Sequence, residues 1–345
     1  MSSSDKEKVR ITIQAVIDKE SARAVNRFKA DAPGILKQYH KESRHLERDI
    51  QRTWSKPLHL LETFIGISQE VGAKFNLEEG PRAERRRDYT FLILVRLHGR
   101  SCRIAREILL LLKSGYPAGA YARWRALHEV AVIDRLVTMN GNDLAERYIN
   151  HEVIERINGM RVNQQYHERI GMDPYSETEI ANATQTETKL IHRYGEKFKR
   201  DYGWAASILG KKDATFRELE KLAGLDHLRP YYKLASDDIH AGARILRTNI
   251  GVIGAQRDII LAGPTDAGLS LPGQNTVISL MHVNTCTLSV RPDMENVVLS
   301  GSLLELCHEA CLAFADAEAR QEERLRTHTQ LHIKSPTFRF IKPPK

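Results

Sequence analysis

Between Ser114 and Pro117 the chain reads SGYP, and on either side of that turn the apolar positions recur at the three- and four-residue spacing of an amphipathic helix. Upstream, the segment from Pro81 to Lys113 starts rich in arginine and ends rich in leucine. Downstream, Ala122, Ala126, Val130, Ile133 and Val137 form an apolar stripe on a helix from about Ala118 to Met139, which Asn140-Gly141 ends. Two long helices joined by so short a turn must pack antiparallel. That constraint sets the expected fold class, an all-α multi-helix bundle.

The remaining punctuation extends the same reading. A third helix is predicted over Asp143 to Glu168 and is broken by Gly171, Asp173 and Pro174. Ser176 with Glu179 has the form of a capping box and opens a fourth helix, to about Tyr202. Two more helices are predicted between Thr215 and Asn249, divided near Asp226 to Pro230. The stretch LAGPTDAGLSLPGQ is dense in Gly and Pro and reads as a long ordered loop, after which helical periods resume over Asn275 to Ser289 and Asp293 to about Arg324. At the N-terminus, Ser4 and Glu7 repeat the capping-box form and open a charged helical arm, with interruptions expected at Pro33 and Pro57. Its stretch KQYHKESRHLERDIQR has few apolar positions and suits a solvated or partner-facing helix. The expected division is an arm over 1–55, a bundle body over 56–324 and an extended basic tail over 325–345.

Composition narrows the class. With 41% apolar and 28% charged residues the chain reads as an ordinary globule. The excess of 52 basic over 44 acidic residues points to an anionic partner, RNA or another nucleic acid among them, without naming it. The start MSSSDKEKVR lacks the apolar core of a secretory signal. Apolar runs such as Phe91 to Val95 fall far short of the roughly 20 residues that span a bilayer. A cytoplasmic chain with no membrane association is expected, and its four cysteines, which have no CxxC spacing, are expected to be reduced and buried.

Several polar clusters are candidates for chemistry. Arg125, His128, Glu129 and Val132 follow helical steps on the face beside the apolar stripe, which brings a guanidinium, an imidazole and a carboxylate within reach of one another. Such a set is either a structural network or a site. Arg123 and His128 also fit R-x(4–6)-H, but 33 Arg and 14 His predict about four matches by chance, and four occur. Only the position on a long bundle helix singles this pair out. In YYKLASDDIHAGA, Ser236, Asp237 and His240 share one helical face, yet the chain has no G-x-S-x-G elbow, so a serine hydrolase is disfavoured. The Glu-x-x-His pairs Glu42/His45 and Glu305/His308, and the group Cys307, His308 and Cys311, each lack the further ligands a site needs, so neither a metal nor another cofactor is expected. From Pro81 to Arg106 there are eight arginines against two acids, and Arg96, Arg100 and Arg103 form a ridge able to follow phosphates. The alternative is a solvated face paired with acids of a neighbouring helix.

Four patches in order, GYPAGAYARWRALHEVAVIDRLV, AERYINHE, YYKLASDDIHAGA and LAGPTDAGLSLP, resemble a largely bacterial family catalogued as domain of unknown function 5677, over roughly residues 80–315. The resemblance implies an all-helical fold, with Arg123, Arg125, His128 and Glu129 on one helix facing Ser236 and His240 on another, and no established activity. A weaker similarity is to the HEPN ribonucleases, helical enzymes that use R-x(4–6)-H without metal, although Trp124 follows the arginine where they usually carry a small polar residue. On that likeness Arg123 would hold phosphate, His128 act as acid or base, and Arg125 and Glu129 position them, under a roof formed by residues 263–273. The competing expectation is a non-catalytic binding or assembly module, possible as a homo-oligomer, in which the same residues form a buried network.

Overall fold

The computed structural model describes residues 3–210, 214–237, 239 and 262–331. Among these the regular elements are helices: α1 (Ser3–Arg86), α2 (Tyr89–Lys113), α3 (Pro117–Ile170), α4 (Glu177–Tyr194), α5 (Ala206–Leu209), α6 (Phe216–Ala223), α7 (Arg229–Asp237), α8 (Ser270–Ser289) and α9 (Met294–Leu331). The antiparallel pair expected from the SGYP turn is α2 and α3, which pack together along their length. Gly115 sits at φ +79 with its N–H on the Leu112 carbonyl, and Pro117 begins α3.

α1 departs from expectation. It runs unbroken through Pro33, Pro57 and Pro81, because the stripe around Pro57 (Ile50, Trp54, Leu58, Leu61, Ile65) is buried and tertiary packing outweighs one missing backbone donor. The break falls instead at Arg87, which adopts φ +51, and at Asp88, whose side chain accepts from the Phe91 N–H at 2.9 Å and caps α2. The helices expected to end and begin at Asn140-Gly141 are merged into α3 across a kink at Gly141, and Asn142 Oδ1 there accepts from the Tyr89 N–H at 2.7 Å. The capping box at Ser176 and Glu179 forms as expected, with both reciprocal bonds present.

α8 is the central helix. It is buried on almost every side, and Asn284 is paired inside: it donates to Ser68 Oγ at 2.8 Å and meets His98 Nε2 at 3.0 Å. It begins at Ser270, inside what the sequence suggested was loop. Pro272 costs nothing in a first turn, and a Cβ on Gly273 would lie 2.3 Å from the Phe314 ring, so the glycine marks a close helix crossing rather than a bend. α9 packs antiparallel on α1, with Lys56 to Glu309 at 3.6 Å and Arg324 donating to Thr53 Oγ1 at 3.2 Å. It continues through 325–331, residues expected to be extended tail. By length and composition alone Met294–Arg324 could cross a membrane, a property that a scan for unbroken apolar runs passes over; its Leu303, Cys307, Ala310, Phe314 and Ala317 are buried in the bundle. Of the cysteines, Cys102, Cys286 and Cys307 are buried, Cys311 is half-buried, and all four are thiols.

The chain between α7 and α8 returns to the α2–α3 turn, where the Thr265 N–H donates to the Gly115 carbonyl at 2.8 Å and Trp54 Nε1 donates to the Asp266 carbonyl at 2.8 Å. A Cβ on Gly115 would lie 2.8 Å from the Thr265 carbonyl oxygen, at a φ that L-residues rarely adopt. Gly115→Ala is therefore expected to cost more than about 1 kcal/mol, read as a melting temperature lowered by about 3 °C or more.

Candidate functional site

In the first third of α3 the apolar stripe meets a polar face. Trp124, Leu127, Val130 and Ala131 are buried, and so is His128, which has no solvent exposure. Its ring is packed among Trp124 at 5.3 Å, Tyr232 at 5.7 Å and Phe216 edge-on at 6.0 Å, between ring centroids. Trp124 is itself fixed by Nε1, which donates to the Asn275 carbonyl at 2.8 Å and to Ser279 Oγ at 2.9 Å on α8.

His128 Nε2 lies 3.0 Å from Oε1 of Glu220, a carboxylate on α6 with no solvent exposure. The second carboxylate oxygen accepts from Arg229 Nη1 at the start of α7. Each oxygen thus faces a donor, which is what a carboxylate shut away from water requires. A carboxylate only accepts, so Nε2 carries the proton of that bond. Nδ1 has no hydrogen-bond partner among the described residues, and a proton there would be a buried unpaired donor.

Beside this closed triad lies a more open one. Glu129 Oε1 accepts from Tyr232 Oη at 2.6 Å and from Arg125 Nε at 3.2 Å, and the Arg125 guanidinium stacks 4.6 Å above the Tyr232 ring. Burial, and then the bond to the Glu129 carboxylate, push the Tyr232 hydroxyl above its usual range, so it stays a donor. Ser236, one turn further along α7, is half-buried and spends its hydroxyl on the Tyr232 carbonyl at 2.7 Å.

The structure therefore brings together Arg125, His128 and Glu129 on α3 with Ser236 nearby on α7. Arg123 points the other way and pairs with Glu107 on α2. His240 lies outside the described residues. Of residues 263–273, expected as a roof, Thr265 and Asp266 bond to Gly115 and Trp54 near the start of α3, and 270–273 form the first turn of α8. On α2, Arg96, Arg100 and Arg103 are exposed as a ridge; Arg103 reaches Glu107 at 3.9 Å, while Arg96 and Arg100 form no ion pair among the described residues.

A family model matches residues 91–255, the family of unknown function DUF5677. The match covers just under half of the chain, and over it the chain is similar to that family. The span is shorter than the resemblance read from the sequence, and it lends nothing to the HEPN likeness. The DUF5677 segment holds almost all of α2 and the whole of α3 through α7, hence the arginine ridge and every member of both triads, while α1, α8 and α9 lie outside it. No curated protein and no solved structure matches the chain.

Two acids escaped the sequence reading although their spacing carried a signal. Glu220 falls in the stripe Phe216, Leu219, Glu220, Ala223, all buried, so a carboxylate on the apolar face had to find a cation inside. Asp134 falls in the stripe of α3 in the same way, and neither of its oxygens has a hydrogen-bond partner among the described residues. Burial pushes its carboxyl well above the usual carboxylate range. A raised folded-state value means that the folded protein holds the proton more tightly than the unfolded chain. The contribution of Asp134 to stability is then full below an unfolded pKa of about 3.9 and is lost as pH rises toward the raised value. Asp134→Asn, neutral throughout, is expected to gain on the native protein in melting temperature as pH rises from about 4 to about 7. Melts of the two proteins across that range check it; a constant difference would show that Asp134 is not a buried acid.

Proposed function

We propose that the DUF5677 segment is a non-catalytic binding or assembly module in which the Arg/His/Glu cluster is a structural network. One observation carries the reading: the His128 and Glu220 side chains have no solvent exposure, and the one imidazole nitrogen not committed to Glu220 is enclosed by aromatic rings. A general acid or base has to come within hydrogen-bond reach of a substrate atom, directly or through one water. Arg123, which a HEPN-type centre would place beside the histidine, is held by Glu107 instead. What remains accessible is a rim, Arg125 and Glu129, and a ridge, Arg96, Arg100 and Arg103, both suited to docking a partner.

The test uses purified protein and structured and single-stranded RNA in the presence of EDTA, with His128→Ala beside the native chain. The module reading expects no cleavage by either, and a loss of about 3 kcal/mol in stability for the variant, because a buried pair is broken and Glu220 is left with Arg229 alone. Cleavage by the native chain that His128→Ala abolishes in its folded fraction would replace this reading with the ribonuclease.

A second reading, nucleic-acid binding without cleavage, is favoured by the two ridge arginines that form no ion pair among the described residues. Neutralising phosphates releases counterions, so such binding weakens steeply with salt. Arg96→Glu with Arg100→Glu is expected to reduce RNA affinity at low salt at least tenfold and to flatten its salt dependence. An unchanged affinity would leave the ridge as a solvated face.

A further inference from the structure

α1 carries one apolar stripe along most of its length, but the bundle covers only part of it. About eighteen residues make five turns of helix, so positions 18 or 36 apart lie on one line along the surface. Phe28 and Leu46 line up with buried Phe64, Leu36 with buried Trp54, Ala32 with buried Ile50, Val25 with buried Leu61, Tyr39 with buried Phe75, and Ile17 and Ile35 with buried Val71. The arm thus presents to solvent the same face that the body buries. Ile17, Val25, Phe28, Ile35, Leu36 and Tyr39 are 46–65% exposed, and the only tie of this stretch to the body among the described residues is Tyr39 Oη at 3.2 Å from Tyr116 Oη. A contiguous apolar strip of this kind marks an interface.

We infer that two copies of this chain pair through their α1 arms, antiparallel, about a two-fold axis at Phe28. Three features fix the occupant and its direction. First, from Ile50 onward the body itself lies on the stripe side of α1, so a second arm running parallel would drive its own α1 into that body, whereas antiparallel arms put the two bodies at opposite ends. Second, the exposed seam from Ile17 to Tyr39 has its midpoint at Phe28, and a two-fold axis there superposes its apolar and small positions on one another: Ile17 meets Tyr39, Ser21 meets Ile35, Ala24 meets Ala32 and Phe28 meets itself. Third, the overlap extends to Ile13 and Ser43 at its ends, a span of more than four heptads, at or above the length over which such seams are recognised.

Lys19 and Lys37 each lie nine residues, two and a half turns, from Phe28, so these lysines sit on the face of α1 turned away from the seam and the apolar strip carries the pairing.

The inference gives the assembly reading above its partner, and its test touches no residue of the His128 cluster, so either can fail alone. Sedimentation of the full chain at tens of micromolar is expected to show a dimer that moderate salt does not dissociate, unlike an ionic or nucleic-acid contact. Phe28→Glu with Ile35→Glu is expected to be monomeric with the melting transition of the body unchanged. To fix the direction, Phe28→Cys is expected to cross-link between copies with a short bis-maleimide, while Ile17→Cys alone does not and Ile17→Cys combined with Tyr39→Cys does. A monomeric native chain, a dimer that survives the double glutamate change, or cross-linking by Ile17→Cys alone, as a parallel pair requires, would overturn the inference.

Discussion

A carboxylate with no access to water has to be answered inside the protein, and Glu220 is answered from two directions. His128 comes from α3 and Arg229 from α7, so a single group on the short helix α6 ties together three elements. α6 and α7 are 8 and 9 residues long, too short to be stable by themselves, and their position depends on this triad and on the aromatic contacts around it. Phe216 and Tyr232, with ring centroids 4.9 Å apart, complete the wall that seals His128. The open triad of Arg125, Glu129 and Tyr232 is built on the outer side of that wall, and its orientation follows from the closed one.

This arrangement separates what is rigid from what is accessible. The imidazole that drew attention in the sequence is enclosed, and the groups that reach solvent nearby are the Arg125 guanidinium and the Glu129 carboxylate, already paired with each other and, through Glu129, with the buried Tyr232 hydroxyl. Such a rim suits recognition better than bond cleavage, since every member is already held by a partner. α1 shows the same division on a larger scale: one stripe is core where the bundle meets it and an exposed apolar strip where it does not.

Much of the fold could be read from the sequence because its signals were local. The SGYP turn between two periodic runs, the Ser176 and Glu179 capping box and the period of the last helix all depend on neighbours within a few residues. What could not be read depended on distant chain. Pro57 stays helical because α1 is packed on both sides of it, and Gly273 lies in a helix because Phe314, some forty residues away, needs the room. The site followed the same rule. Arg125 and Glu129, one turn apart, meet as expected, but Arg123 and His128, about one and a half turns apart, face opposite ways, and the partner of His128 is a glutamate 92 residues later.

The central claim, that His128 is a sealed structural histidine, is tested most directly by its chemical accessibility. Native protein treated briefly with diethyl pyrocarbonate and mapped by mass spectrometry offers exposed His59 and His308 as internal references. His128 is expected to remain unmodified while those two are carbethoxylated, and to react only once the fold is melted. Modification of His128 at a rate near theirs in the folded protein would contradict the account.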